Sequence, residues 1–146
     1  MHSPIIAPVV ALVAWSLVIW LIMYIKRIPA MQAAKIDVKN LRGGSGADLK
    51  AVLPAPVQWS AENYNHLMEQ PTIFYAIALS LALLEQGAGV NAVIAWAYVG
   101  LRIAHSLVQI TVNRVIVRFM LFALSTFCLM ALTLHAGFAL VGAHHL

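Results

Sequence analysis

Residues Glu62–Leu84 read ENYNHLMEQPTIFYAIALSLALL, a segment dense in polar groups that runs without interruption into an almost wholly apolar one. The apolar part, Gln70 to Leu84, is too short by itself for a bilayer crossing, which takes about 20 residues. A helix that begins near Ser60 reaches that length only by carrying Glu62, His66 and Glu69 into the membrane. The fold class and the function both turn on that inclusion.

The whole composition agrees with a membrane setting. Of 146 residues, 62% are hydrophobic and only 10% are charged, against roughly 25% charged in soluble domains. An all-α integral membrane protein is expected: one domain over residues 1–146, with a four-transmembrane-helix bundle near 5–25, 60–85, 90–110 and 114–142. The first segment, Ile5 to Ile25, carries no charge and is followed by Lys26 and Arg27. It has no basic stretch before it and no small-residue cleavage site after it, so it reads as a retained helix rather than a leader. Gly87-Ala88-Gly89 marks a tight turn that makes the second and third helices antiparallel neighbours. An unbroken helix from Val90 to Gly142 would be about 80 Å long, so a break near Asn113 is required.

Positive charge sets the orientation. Lys26, Arg27, Lys35, Lys39, Arg42 and Lys50 lie in the first connection and Arg114 and Arg118 around the third, while the second connection has no Lys or Arg. The first and third connections are therefore expected to face the cytoplasm, with both termini on the other side. The first connection, roughly 35 residues long, exceeds the usual loop and is either functional or mobile. Its LRGGSGAD stretch, Leu41–Asp48, is no phosphate loop, because no Gly-Lys-Ser/Thr follows. Cys128, the single cysteine, reads as a packing residue. His144-His145 reads as an exposed tail, with weak metal binding as the alternative.

In a continuous helix Glu62, His66 and Glu69 stand at i, i+4 and i+7 and share one face. Arg102, His105 and Gln109 make a second stripe on the third helix, extended by Asn113. A charged side chain turned to lipid costs at least a few kcal/mol, so the stripes should face each other, with Glu69 and Arg102 as the natural ion pair. They serve either as interhelical glue, worth about 1 kcal/mol or less per bond, or as a polar site. Pro71 frees the carbonyl of Leu67 beside the stripe and marks either a packing kink or a site. Arg118 either snorkels to lipid phosphates or turns inward with Arg102 and His105 to make a positive pocket for a carboxylate or thiolate. Phe119 and Phe122 would line the apolar side of that pocket.

These residues resemble the MAPEG family, the membrane-associated proteins in eicosanoid and glutathione metabolism. HLMEQPTIFYA, residues 66–76, is similar to the second-helix motif of its bacterial branch, and LRIAHSLVQITVNRVIVRF, residues 101–119, to its third-to-fourth helix passage. The resemblance spans the whole chain. It implies a homotrimer with sites between subunits, glutathione as co-substrate, and lipophilic small molecules entering from membrane lipid. It also implies a bacterial inner membrane and no nucleic-acid partner. Position by position, Glu69 matches the motif glutamate, Arg102 and His105 the Arg-x-x-His pair, Arg118 the arginine facing the glutathione thiol, and Arg27 an arginine ending the first helix. His66 falls among the glutathione-binding positions, where the motif usually has asparagine.

Other departures bear on function. Glu62 and Asn65 stand where glutathione-using members have arginines, and Gln109 and Phe122 where they often have tyrosines. Two functional readings follow: a glutathione-dependent transferase or peroxidase acting on lipophilic electrophiles, or a non-catalytic scaffold that binds a lipid or small molecule. A third treats His66, Glu69 and Glu62 as metal ligands, although bundle metal sites usually draw ligands from facing helices.

Overall fold

The computed structural model describes residues 2–143, and every regular element in them is helical. Helix α1 spans Ile6–Ala33, α2 Ala55–Leu67, α3 Gln70–Leu83, α4 Val90–Thr111 and α5 Val115–Ala143, with a 3-10 helix at Gly46–Ala51 in the first connection. Three stretches are long and apolar enough to cross a membrane: Ile6–Ala33, Val90–Thr111 and Val115–Gly142.

Helix α1 continues past the expected end near Ile25 and takes in Lys26, Arg27 and Pro29 before Lys35 turns left-handed at φ 57°. Lys and Arg are good helix formers, so they end the apolar segment without ending the helix. Pro29 costs only the bond to the Ile25 carbonyl.

The segment expected as one helix over 60–85 is two. Helix α2 starts earlier, after Pro54 and with Pro56 in its first turn, where a missing N–H costs nothing. It stops at Leu67, and Glu69 leaves helical geometry at φ −89°, ψ −96°. The cause is Pro71, which cannot donate to the Leu67 carbonyl and whose ring would clash with that carbonyl if the helix ran on. Helix α3 then begins with Pro71 in its own first turn, while the Thr72 N–H and hydroxyl both donate to the Glu69 carbonyl at 3.2 and 2.6 Å.

Helices α2 and α3 both pack along α1, with α2 also against α4 and α3 against α5. Leu12, Ile19, Phe74, Leu81, Tyr98, Val99 and Leu132 form the apolar centre. Phe74 stacks on Tyr98 at 4.3 Å between ring centroids, which ties α3 to α4. The outer faces of α1 and α5 carry exposed Leu17, Leu21, Ile25, Ile116, Phe127 and Leu134, as expected of surfaces solvated by lipid. The break between α4 and α5 falls at Asn113, which adopts φ 50° while its N–H closes on the Val108 carbonyl at 2.7 Å. Asparagine tolerates this left-handed position better than most residues.

At the opposite end, the α3–α4 turn passes close to the amino-terminal segment. A Cβ on Gly87 would stand 1.9 Å from Ser3 Oγ and 2.7 Å from Cγ2 of Ile5, which is fully buried. Gly100, within α4, has open space where a Cβ would go. Gly87→Ala is therefore expected to destabilise by about 1–3 kcal/mol through overpacking, read as a lowered apparent Tm in detergent. Gly100→Ala should not lower it.

Candidate functional site

Arg102 is the largest fully buried side chain, at 0% exposure. It stands on the α4 face that also carries His105 and Gln109, both buried, so the third-helix stripe is real and turns inward. Two hydrogen bonds fix α2 against it. Asn63 Nδ2 donates to Gln109 Oε1 at 2.8 Å, and Arg102 Nη2 donates to His66 Nδ1 at 2.6 Å. A guanidinium only donates, so His66 Nδ1 is the acceptor and its neutral ring carries the proton on Nε2. The His66 ring stacks on His105 at 4.8 Å and meets the edge of Phe122 at 5.4 Å; the Arg102 guanidinium lies 5.8 Å from the Phe122 centroid.

These rings open onto a cavity of about 200 Å³ lined by His66, His105, Val115, Arg118, Phe119 and Phe122. Arg118 thus turns into the bundle rather than only toward lipid, helped by the register that Asn113 imposes on the first turn of α5. Several buried polar atoms here lack partners. Arg102 Nε and Nη1 and Arg118 Nε are buried with no hydrogen-bond partner, as is His105 Nδ1. Among the described residues the one ion pair is Lys50–Glu62, at 4.0 Å and largely exposed. Arg118 lines this cavity and Arg102, bonded to His66, lies outside its lining; neither makes an ion pair, although exposed Glu69 stays within electrostatic range of Arg102 and His66, in a setting where unpaired buried charge is costly. The arrangement is suited to an anionic group.

The expected Glu69–Arg102 ion pair does not form. The break before Pro71 takes Glu69 off the helical face it would otherwise share with His66 and leaves it exposed. Glu62 lies beside Lys50, so the second-helix stripe reduces to His66. The three side chains do not converge as metal ligands, and no group of three or more His, Cys, Asp or Glu among the described residues is placed to hold a metal ion. His144 and His145 lie outside the described residues.

Arg27 is elsewhere. Its Nη2 donates to Gln58 Oε1 at 3.2 Å, and Gln58 Nε2 donates to the Gly46 carbonyl at 3.1 Å, which ties the long connection to α1 and α2. Arg27 lines a separate cavity of about 340 Å³ with Met23, Gly46, Ala61, Tyr64 and Asn65. Within one chain the predicted residues therefore divide: His66, Arg102, His105 and Arg118 come together, Arg27 faces a different cavity, and Glu69 is on the surface and lines neither. Cys128 is partly buried against the apolar centre, as a packing residue.

Sequence reasoning missed Gln58 and Asn63, and the bridge in which Gln70 accepts from Tyr98 Oη at 3.1 Å and donates to Thr126 Oγ1 at 3.0 Å. Each is a polar residue inside or beside an apolar run. That was the available signal, but partners so far apart in sequence are paired only by the fold.

The fold and this site define a multi-pass α-helical membrane protein with a buried arginine, Arg102, beside an open cavity that Arg118 lines. The MAPEG family model matches residues 5–138, and the chain belongs to that family. No significant match was found among curated proteins or solved structures.

The Arg102–His66 contact has a testable energetic asymmetry. His66→Leu leaves the guanidinium with no side-chain partner and should destabilise by about 1–3 kcal/mol, whereas Arg102→Met removes the buried charge and should cost less or stabilise. Apparent Tm values of the two variants in detergent check the order.

Proposed function

We propose that the chain is a glutathione-dependent transferase or peroxidase acting on lipophilic electrophiles, and that it works as a homotrimer in a bacterial inner membrane. In this reading α2 and α3 together make a fourth, interrupted crossing. The Arg27 and Arg118 ends face the cytoplasm, where glutathione is available. The observation that carries the reading is Arg118 in the lining of the cavity of His66 and His105, with Arg102 bonded to His66 and, among the described residues, no carboxylate within ion-pair distance of either arginine.

The chemistry follows from charge. A thiol with a pKa near 8.5 is mostly protonated at neutral pH, and an adjacent guanidinium in a partly dry site favours the thiolate. In this reading Arg118 holds that sulfur. The thiolate then forms a sulfur–carbon bond with the electrophile, whose leaving group departs with the bonding pair. His66 Nε2–H and His105 would hold a peptide carboxylate or carbonyl, with Arg102 fixing the His66 ring. Phe119 and Phe122 offer the apolar wall for the second substrate. No tyrosine lines this cavity, so thiolate stabilisation rests on the arginine alone.

The cavity supports a shared site. At about 200 Å³ it is smaller than the ~300 Å³ at which small-molecule pockets begin, so one chain does not enclose glutathione. The Arg27 cavity, on another face of α2, would supply the remaining wall from a neighbouring subunit. A second reading, a non-catalytic scaffold that binds lipid or an apolar small molecule, is favoured by Glu62 and Asn65 in the place of cationic contacts.

Calorimetry with millimolar glutathione on the detergent-purified protein separates the two. Saturable binding is expected, weakened about tenfold or more by Arg118→Ala, the scale of a lost charge-assisted hydrogen bond. Arg114→Ala, one turn away and exposed, should leave it unchanged. Absence of binding by the unaltered protein would favour the scaffold.

A further inference from the structure

A second polar constellation lies at the other end of the bundle, beside the α3–α4 turn. His135 Nδ1 and Asn91 Oδ1 are 2.5 Å apart, and Asn91 Nδ2 donates to the Gln86 carbonyl at 2.8 Å. The chain of bonds fixes the proton. A backbone carbonyl only accepts, so the Asn91 amide must turn its NH2 to Gln86 and its oxygen to His135. His135 Nδ1 therefore donates, and in the neutral ring Nε2 is left as a lone-pair acceptor whose orientation is set by Asn91.

His135, Asn91 and Gln86 line an open cavity of about 670 Å³ whose walls include Leu84, Val90 and Phe138. That volume falls within the roughly 300–1,000 Å³ of small-molecule sites. Among the described residues the lining holds no Lys, Arg, Asp or Glu, so a phosphate or carboxylate head finds no cationic partner in it. Val90 and Phe138 are 62% and 69% exposed, and Leu84 is partly so. Asn91 is in the first turn of α4 and His135 in the last third of α5, which puts the polar group near one membrane boundary and the apolar walls beside it.

We infer that this cavity binds a neutral, hydroxyl-headed lipid, whose O–H donates to His135 Nε2 while its chain lies against Leu84, Val90 and Phe138. An acceptor of fixed direction, apolar walls and the absence of charge select that chemistry over a phospholipid or a free fatty-acid anion. The site is independent of the Arg118 cavity and does not require glutathione binding.

The test uses the intact protein with 15N-labelled histidine in phosphatidylcholine nanodiscs, at about pH 8.5, above the usual range of imidazole titration. Dodecanol is the probe, and dodecyl methyl ether, which has the same chain and no donor, is its control. Dodecanol is expected to move the His135 Nε2 resonance saturably, and the ether to bind about tenfold more weakly or not at all, the worth of one hydrogen bond. Asn91→Leu, which releases the tautomer, should erase the preference for the alcohol. Equal shifts with alcohol and ether would mean chain packing alone and would overturn the inference, as would no shift with either.

Discussion

The structure depends on a guanidinium buried among transmembrane helices with no carboxylate to meet it. Arg102 finds one nitrogen of His66 and leaves two of its own without partners. An isolated charge in such surroundings is expensive, and the contacts around it limit that cost without removing it. The stacked His105, the Phe122 ring, and the Asn63–Gln109 bond that holds α2 in register are all parts of one arrangement. Features with a stability cost and no structural return are characteristic of binding sites. In the proposed function an anionic ligand in the neighbouring cavity would offset part of that charge.

The interruption at Pro71 shapes what that ligand meets. Breaking the second apolar segment turns Glu69 outward and lets α2 and α3 pack against different partners, α2 on α4 and α3 on α5. The break leaves Glu69 without an ion pair to Arg102. It also leaves α2 with one face toward the Arg118 cavity and another toward the Arg27 cavity. In the proposed trimer these faces come together between subunits, and both arginines then serve one molecule.

Much of this was legible in the sequence, for definite reasons. Arg102, His105 and Gln109 lie on an uninterrupted helix, so spacing alone placed them on one buried face. The break at Asn113 followed from bilayer thickness, and the left-handed residue sits where length required it. Periodicity failed for Glu69, because Pro71 ended the helix that the spacing assumed, while Glu62 and His66 stay on α2 and Glu62 turns to Lys50. Charge likewise ended the first apolar segment at Ile25 but not the helix, which has no reason to stop at Lys26 or Arg27. Pairings such as Gln70 with Thr126 and Asn91 with His135 carry no local signature. Both residues of each pair were visible as polar interruptions, and only packing brought them together.

The central claim is that the anion site draws Arg118 from one chain and Arg27 from another. Subunit complementation tests it most directly, with Arg27→Ala and Arg118→Ala chains produced separately and then together, and glutathione binding measured on each preparation. If neighbouring chains share the site, each variant alone binds weakly and the mixed assembly recovers a fraction of full-affinity sites, because some interfaces pair the two intact arginines. A mixture no better than the average of its components would contradict the account and confine the site to a single chain.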